Sequence, residues 1–73
     1  MAIHINDNFM AAEIDGAVVA AATLTGDWWI VTNWPRYFTR NQAITALTLA
    51  ERLWTGHGDN DPFVVAWREE LAP

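Results

Sequence analysis

The sequence predicts an α+β fold in which a three- or four-stranded antiparallel meander is followed by two helices, and three local features predict it. Asp15-Gly16 is the dipeptide favoured in a type I′ hairpin, where both central residues take positive φ. Trp28-Trp29-Ile30-Val31-Thr32-Asn33-Trp34 concentrates the aromatic and β-branched residues that suit a pleated surface, and Pro35 ends it. Thr39-Arg40-Asn41-Gln42 is a capping box, in which the Thr39 hydroxyl accepts from the Gln42 amide while the Gln42 side chain reaches back to the Thr39 amide.

Taken in order, Ile3 and Ile5 alternate with His4 and Asn6 as a short strand, and Asn6-Asp7-Asn8 turns the chain. Phe9 to Ile14 and Ala17 to Leu24 flank the Asp15-Gly16 turn. The alanines of Phe9 to Ala22 also suit a helix, but Asp15-Gly16 would break it midway, so the meander is preferred. A second turn at Thr25-Gly26-Asp27 leads to the tryptophan strand. The first helix is expected from about Arg40 to Thr55, with Gly56 as its left-handed stop. Asp61-Pro62 then caps and starts a short terminal helix whose Phe63, Trp67 and Leu71 share a face.

Seventy-three residues allow one core and therefore one small domain, spanning residues 1–73. The hydrophobic fraction of 52% against 18% charged, with five tryptophans, supports a folded chain rather than a disordered one. There is no cysteine, so no disulfide and no thiolate zinc site can supplement packing. The amino-terminal Met1-Ala2-Ile3-His4-Ile5-Asn6-Asp7 lacks the basic leader of a signal or transit peptide, and a cytoplasmic location is expected. The longest apolar run, Ala17 to Ala22, falls far short of the roughly 20 residues of a membrane span, so no membrane association is expected.

Two-residue loops would pair Ile14 with Ala17, Ala12 with Val19 and Met10 with Ala21, then Thr25 with Trp28, Thr23 with Ile30 and Val19 with Trp34. Met10, Ala12, Trp28, Ile30 and Trp34 then share one sheet face, and Ala20, Ala22, Leu24, Trp29 and Val31 the other. Both faces are mostly apolar, although an antiparallel sheet commonly packs one face and wets the other. Burying several hundred Å² of such surface at about 25 cal/mol per Å² is worth on the order of 10 kcal/mol before the costs of association. A two-fold homodimer covering the second face is therefore expected. The alternative is a monomer in which the terminal helix swings over and seals that face.

The densest candidate contact segment is Asn33 to Asn41, which carries Trp34, Arg36, Tyr37 and Arg40 beside a helix N-terminus. Arginine and aromatic residues are enriched in interface hot spots, and helix N-termini attract anions. With Trp29 and Val31 of the second face, these make the expected interaction residues. Trp34 and Phe38 as core, Thr39 as a simple cap and solvated arginines form the bland reading of the same segment. The net charge of −5, nine acids against four arginines and no lysine, disfavours binding to nucleic acid, whose phosphates reward cations. The second functional reading, a nucleic-acid-related protein, would need bases stacked on the aromatics with Arg36 and Arg40 on phosphates, or acids arrayed as a polyanion mimic.

His57, Asp59 and Asp61 form a metal-like cluster, and Asp59, Asp61 and Glu70 match positions 1, 3 and 12 of a calcium loop. The match fails at Phe63 and at Val64, where the loop requires glycine, so capping and solvation account for these acids and no metal or cofactor is expected. With no cysteine or serine nucleophile and no glycine-rich phosphate loop, nothing in the chain points to an enzyme.

At Trp28-Trp29, Pro35-Arg36 and Thr39-Arg40-Asn41-Gln42-Ala43-Ile44-Thr45-Ala46-Leu47, continuing to Leu49-Ala50-Glu51, the chain resembles a group of small uncharacterised proteins of actinobacteria and their phages. The resemblance covers about the middle third of the chain and implies a source and a compact strand-then-helix unit, with no catalytic or ligand residue. The expected function is a non-enzymatic protein–protein interaction or regulatory module that self-associates through an apolar sheet face.

Overall fold

A computed structural model describes residues 2–72; Met1 and Pro73, the ends of the stretch read as one domain, lie outside the described residues. Strands β1 (Ala2–Ile5), β2 (Phe9–Ile14), β3 (Ala17–Thr25), β4 (Trp28–Val31) and β5 (Tyr37–Phe38) precede helices α1 (Arg40–Trp54) and α2 (Pro62–Leu71). The strands form one sheet in sequence order, every neighbouring pair antiparallel. The α+β meander is thus observed with five strands, one more than the upper expectation.

The turns follow from their residues. Asp15 and Gly16 both hold positive φ, 51° and 81°, as a type I′ turn demands. The tryptophan strand ends earlier than expected, at Val31 instead of Trp34. The Thr32 hydroxyl and amide both bond to Ala21, and Asn33, a residue that tolerates the left-handed region, turns the chain at φ 67°. The chain then returns as β5, which sets Phe38 opposite Trp29 and Tyr37 opposite Ile30.

One irregularity decides what each sheet face carries. Ile14 pairs with Ala17 and Glu13 with Val18, but Ala12 pairs with Ala20 and Met10 with Ala22, so Val19 is an extra residue in β3. A bulge of this kind exchanges the faces of everything beyond it relative to a regular ladder. The expected pairs Ala12 with Val19 and Met10 with Ala21 are therefore corrected by one residue. Met10 and Ala12 join Ala20, Ala22, Trp29 and Val31 on a single buried face, where Phe38 completes the layer.

Helix α1 crosses that face. Its Ala43 and Ala46 allow close approach to the sheet, while Leu47 and Leu49 are buried beside them. The capping box forms as expected, Gln42 N to Thr39 Oγ1 at 3.2 Å and Thr39 N to Gln42 Oε1 at 2.9 Å. At the other end Gly56 takes φ 96°, and the amides of Gly56 and His57 bond back to Leu53 and Arg52, a Schellman closure. Helix α2 packs on α1, and the fold is only 16 Å through its thinnest direction, room for one sheet and one helical layer. Its inward residues are Val64, Trp67 and Leu71. Phe63 stacks on Trp67 at 5.6 Å between ring centroids but lies at the rim of that face, half exposed, with Val64 taking the buried position in the first turn. Since α2 lies beside α1, it does not seal the far side of the sheet.

Candidate interaction surface

The side of the sheet away from the helices is built in rows by strand pairing. Across the middle, Phe9 pairs with Thr23, Thr23 with Ile30 and Ile30 with Tyr37. One row toward the Gly26 turn stand Thr25 and Trp28, and one row the other way His4, Ala11 and Ala21. Glu13 and Val18 close the far end, where Glu13 Oε2 lies 3.4 Å from His4 Nε2. Large apolar side chains remain exposed here, with Trp28 at 52% and Tyr37 at 62% of full accessibility beside Phe9, Val18 and Ile30. Together these five expose on the order of 500 Å², near the upper range for a single patch on a monomer.

Two expected interaction residues are not on this surface. Trp29 is 3% exposed and Val31 2%, both packed under α1. Strand alternation sets Trp29 and Val31 apart from Trp28 and Ile30 but does not say which pair α1 covers: the bulge adds Met10 and Ala12 to the face that already carries Ala20, Ala22, Trp29 and Val31, and α1 seats there. Trp28 and Ile30 consequently occupy the surface that Trp29 and Val31 were expected to hold.

The Trp34-to-Arg40 segment is partly brought together. Residues Ile30, Trp34, Pro35, Arg36 and Tyr37 line an open cleft of about 240 Å³ at the β4–β5 loop. Trp34 is half-buried and meets Phe38 edge to face at 5.3 Å between ring centroids. The Arg36 guanidinium sits 4.7 Å from the centroid of the same Phe38 ring, a cation–π contact that fixes its direction. Tyr37 faces solvent, and Arg40 is exposed at the first position of α1. Neither Arg36 nor Arg40 pairs with a carboxylate among the described residues.

The other two arginines have partners in the second cluster noted from the sequence. Arg68 meets Asp59 at 2.7 Å, and Arg52 grips Asp61 while lying 4.6 Å from the Phe63 ring centroid. The Arg52 hydrogen bonds, helped by the amides of Val64 and Phe63, hold the Asp61 carboxyl down at about 2 against partial burial. Its hydrogen bonds to Asp61 push the Arg52 guanidinium up in turn. His57 Nδ1 lies 3.3 Å from both the Thr55 hydroxyl and the Arg52 carbonyl. These acids thus tie the interhelical linker to α1 and α2.

No helix among the described residues is long and apolar enough to cross a membrane. No protein-family model matches the chain, and comparisons with curated proteins and with solved structures find no match.

Proposed function

We propose that this chain is a non-enzymatic interaction module that self-associates through the open face of its sheet. The observation that carries the reading is the set of exposed apolar side chains, centred on Phe9, Trp28, Ile30 and Tyr37, on a face that neither helix covers. Water against such a patch is unfavourable, and covering it recovers free energy comparable with the whole stability of a small domain. Within its strands the face carries only the His4–Glu13 pair as charged side chains, with Asp27 in the flanking β3–β4 turn, so most of the net charge of −5 lies away from the patch. Two such faces apposed bury about 1,000 Å², the lower bound of a specific interface. Single-stranded nucleic acid fits the surface less well, because Asp61 and Asp59 already occupy two of the four arginines.

Sedimentation velocity over a concentration series tests the reading. A dimer is expected at micromolar concentration, and Ile30→Lys, which sets a charge at the centre of the patch, is expected to give a folded monomer. A wild-type chain that stays monomeric at the highest soluble concentration would overturn it.

A further inference from the structure

We infer that the outer edge of β1 is a second self-association site, at which β1 of another copy adds antiparallel and continues the sheet; this contact is separate from the open face and does not rest on it. Backbone parity along the ladder decides which groups the edge offers. Asn6 N donates to Phe9 O at 2.7 Å, and Leu24 N donates to Asn8 O at 3.0 Å. Hydrogen-bonded and non-hydrogen-bonded pairs alternate in an antiparallel ladder, so the first bond makes His4 and Ala11 a hydrogen-bonded pair and Ile5 and Met10 a non-hydrogen-bonded one. The second bond gives the same phase from β3, turning the amide and carbonyl of Met10 toward Ala22 and away from β1. The amides and carbonyls of Ile3 and Ile5 therefore point out of the sheet, and none of them is hydrogen-bonded among the described residues.

The two edges of the sheet differ in protection. Strand β5 has two residues, follows Pro35 closely and runs straight into the α1 cap. Strand β1 has no proline, lysine or bulge along its pairing with β2, the devices that commonly blunt an edge. Ile5 lies on the helix-covered side with Met10 yet is 43% exposed, and α1 packs on β2 to β5. What fits this edge is its own copy. Ile3-His4-Ile5 reads the same in both directions, so a two-fold axis at His4 sets Ile3 opposite the partner's Ile5 and Ile5 opposite the partner's Ile3. Each outward amide then meets an outward carbonyl, and all are satisfied. The isoleucines meet on the helix-covered side, where Ile5 gains cover, and His4 meets the partner's His4 on the open side, each beside its own Glu13. Moving the axis to either isoleucine carries the other past the end of the partner's β1, and an axis between two residues sets outward groups against inward ones. The contact is smaller than a stable interface requires, so it forms at concentrations above the micromolar range of the face contact.

Cross-linking of the full chain tests this, because the chain has no cysteine. His4→Cys is made in the Ile30→Lys background, which removes the face contact. Facing residues of a non-hydrogen-bonded pair stand about 4.5 Å apart at Cα, within disulfide reach. Ile5→Cys in the same background faces the partner's Ile3 and stands diagonally about 7–8 Å from its own counterpart, out of reach. At high protein concentration under mild oxidation, His4→Cys is expected to form a disulfide dimer roughly tenfold or more faster than Ile5→Cys. Adding Ile5→Pro to His4→Cys deletes an outward amide that the chain's own sheet does not use, so circular dichroism should show the fold intact while cross-linking falls by a similar factor. Equal rates for the two cysteine variants, no cross-link in either, or a folded proline variant that cross-links unchanged overturns the edge contact. The cysteine pair decides the matter even if the proline variant does not fold. The open-face reading stands or falls separately, on sedimentation of the wild type.

Discussion

Arg52 holds Asp61 in a two-point grip, Nε to Oδ1 and Nη2 to Oδ2, both at 2.9 Å, while Oδ1 also accepts from the backbone amides of Phe63 and Val64 at 3.0 and 3.1 Å. One carboxylate therefore starts α2 and fastens it to α1 across the His57–Asn60 linker. A bidentate guanidinium–carboxylate pair fixes orientation as well as distance, which lysine could not reproduce.

Acid should loosen this junction in a defined window. The Asp61 carboxyl is lowered from its ordinary 3.8 to about 2, so the folded chain binds that proton less readily than the unfolded chain. A depressed carboxylate contributes stability that is complete above its unfolded value and is lost as pH falls through its folded value. Melting temperature should therefore drop between about pH 4 and pH 2. In Asp61→Asn this part of the drop should be absent, and thermal melts of both proteins across that range check it.

Core and surface on the same two-residue strand should separate cleanly. Phe38→Ala empties a fully buried site between Trp34, Arg36 and α1, and is expected to cost about 3–5 kcal/mol, enough to unfold a marginal domain. Tyr37→Ala next to it is exposed and should change monomer stability by less than about 0.5 kcal/mol, while weakening the proposed self-association. Chemical denaturation at low protein concentration, set beside sedimentation, distinguishes the two effects.

The α1 cap makes a smaller, local claim. Thr39→Ala removes the acceptor for Gln42 N and should cost about 1 kcal/mol, with Thr39→Ser recovering most of it. Urea titration of the two variants against wild type measures this directly.

Val19 offers a test of the bulge. Deleting it leaves every pair on both sides of the Asp15-Gly16 turn intact, so the fold should survive with a loss of about 1–2 kcal/mol from the half-buried valine. Deleting Ile30 from the regular β3–β4 ladder instead puts Trp29 and Val31 on opposite faces, and cooperative unfolding should disappear. Near-ultraviolet circular dichroism melts report both outcomes.

The features legible in the sequence are those whose cause is local. Asp15-Gly16, the Thr39–Gln42 box, the Gly56 stop and the Asp61-Pro62 start each act within a few residues, and each stands where expected. The features that escaped depend on distant partners. Val19 is an extra residue only in the pairing of β2 with β3, and β5 is a strand only through its pairing with β4, Phe38 opposite Trp29. The exchange of Trp29 and Val31 for Trp28 and Ile30 on the open face has the same origin: strand periodicity defines two faces, and packing against α1 chooses between them. Within the Trp34-to-Arg40 segment, Arg36 and Tyr37 reach the cleft together with Trp34, whereas Arg40 belongs to the first turn of the helix.

The sheet order β1-β2-β3-β4-β5 has a kinetic consequence. Each strand pairs with the one synthesised just before it, and closing a loop of a few residues costs little chain entropy. No strand must wait for a remote segment to return, so the sheet can assemble by successive hairpins on the timescale of microseconds to milliseconds typical of local topologies. Helix α1, last to be joined to that sheet, then closes over a surface already formed, and the opposite surface is available to another chain from the moment folding ends.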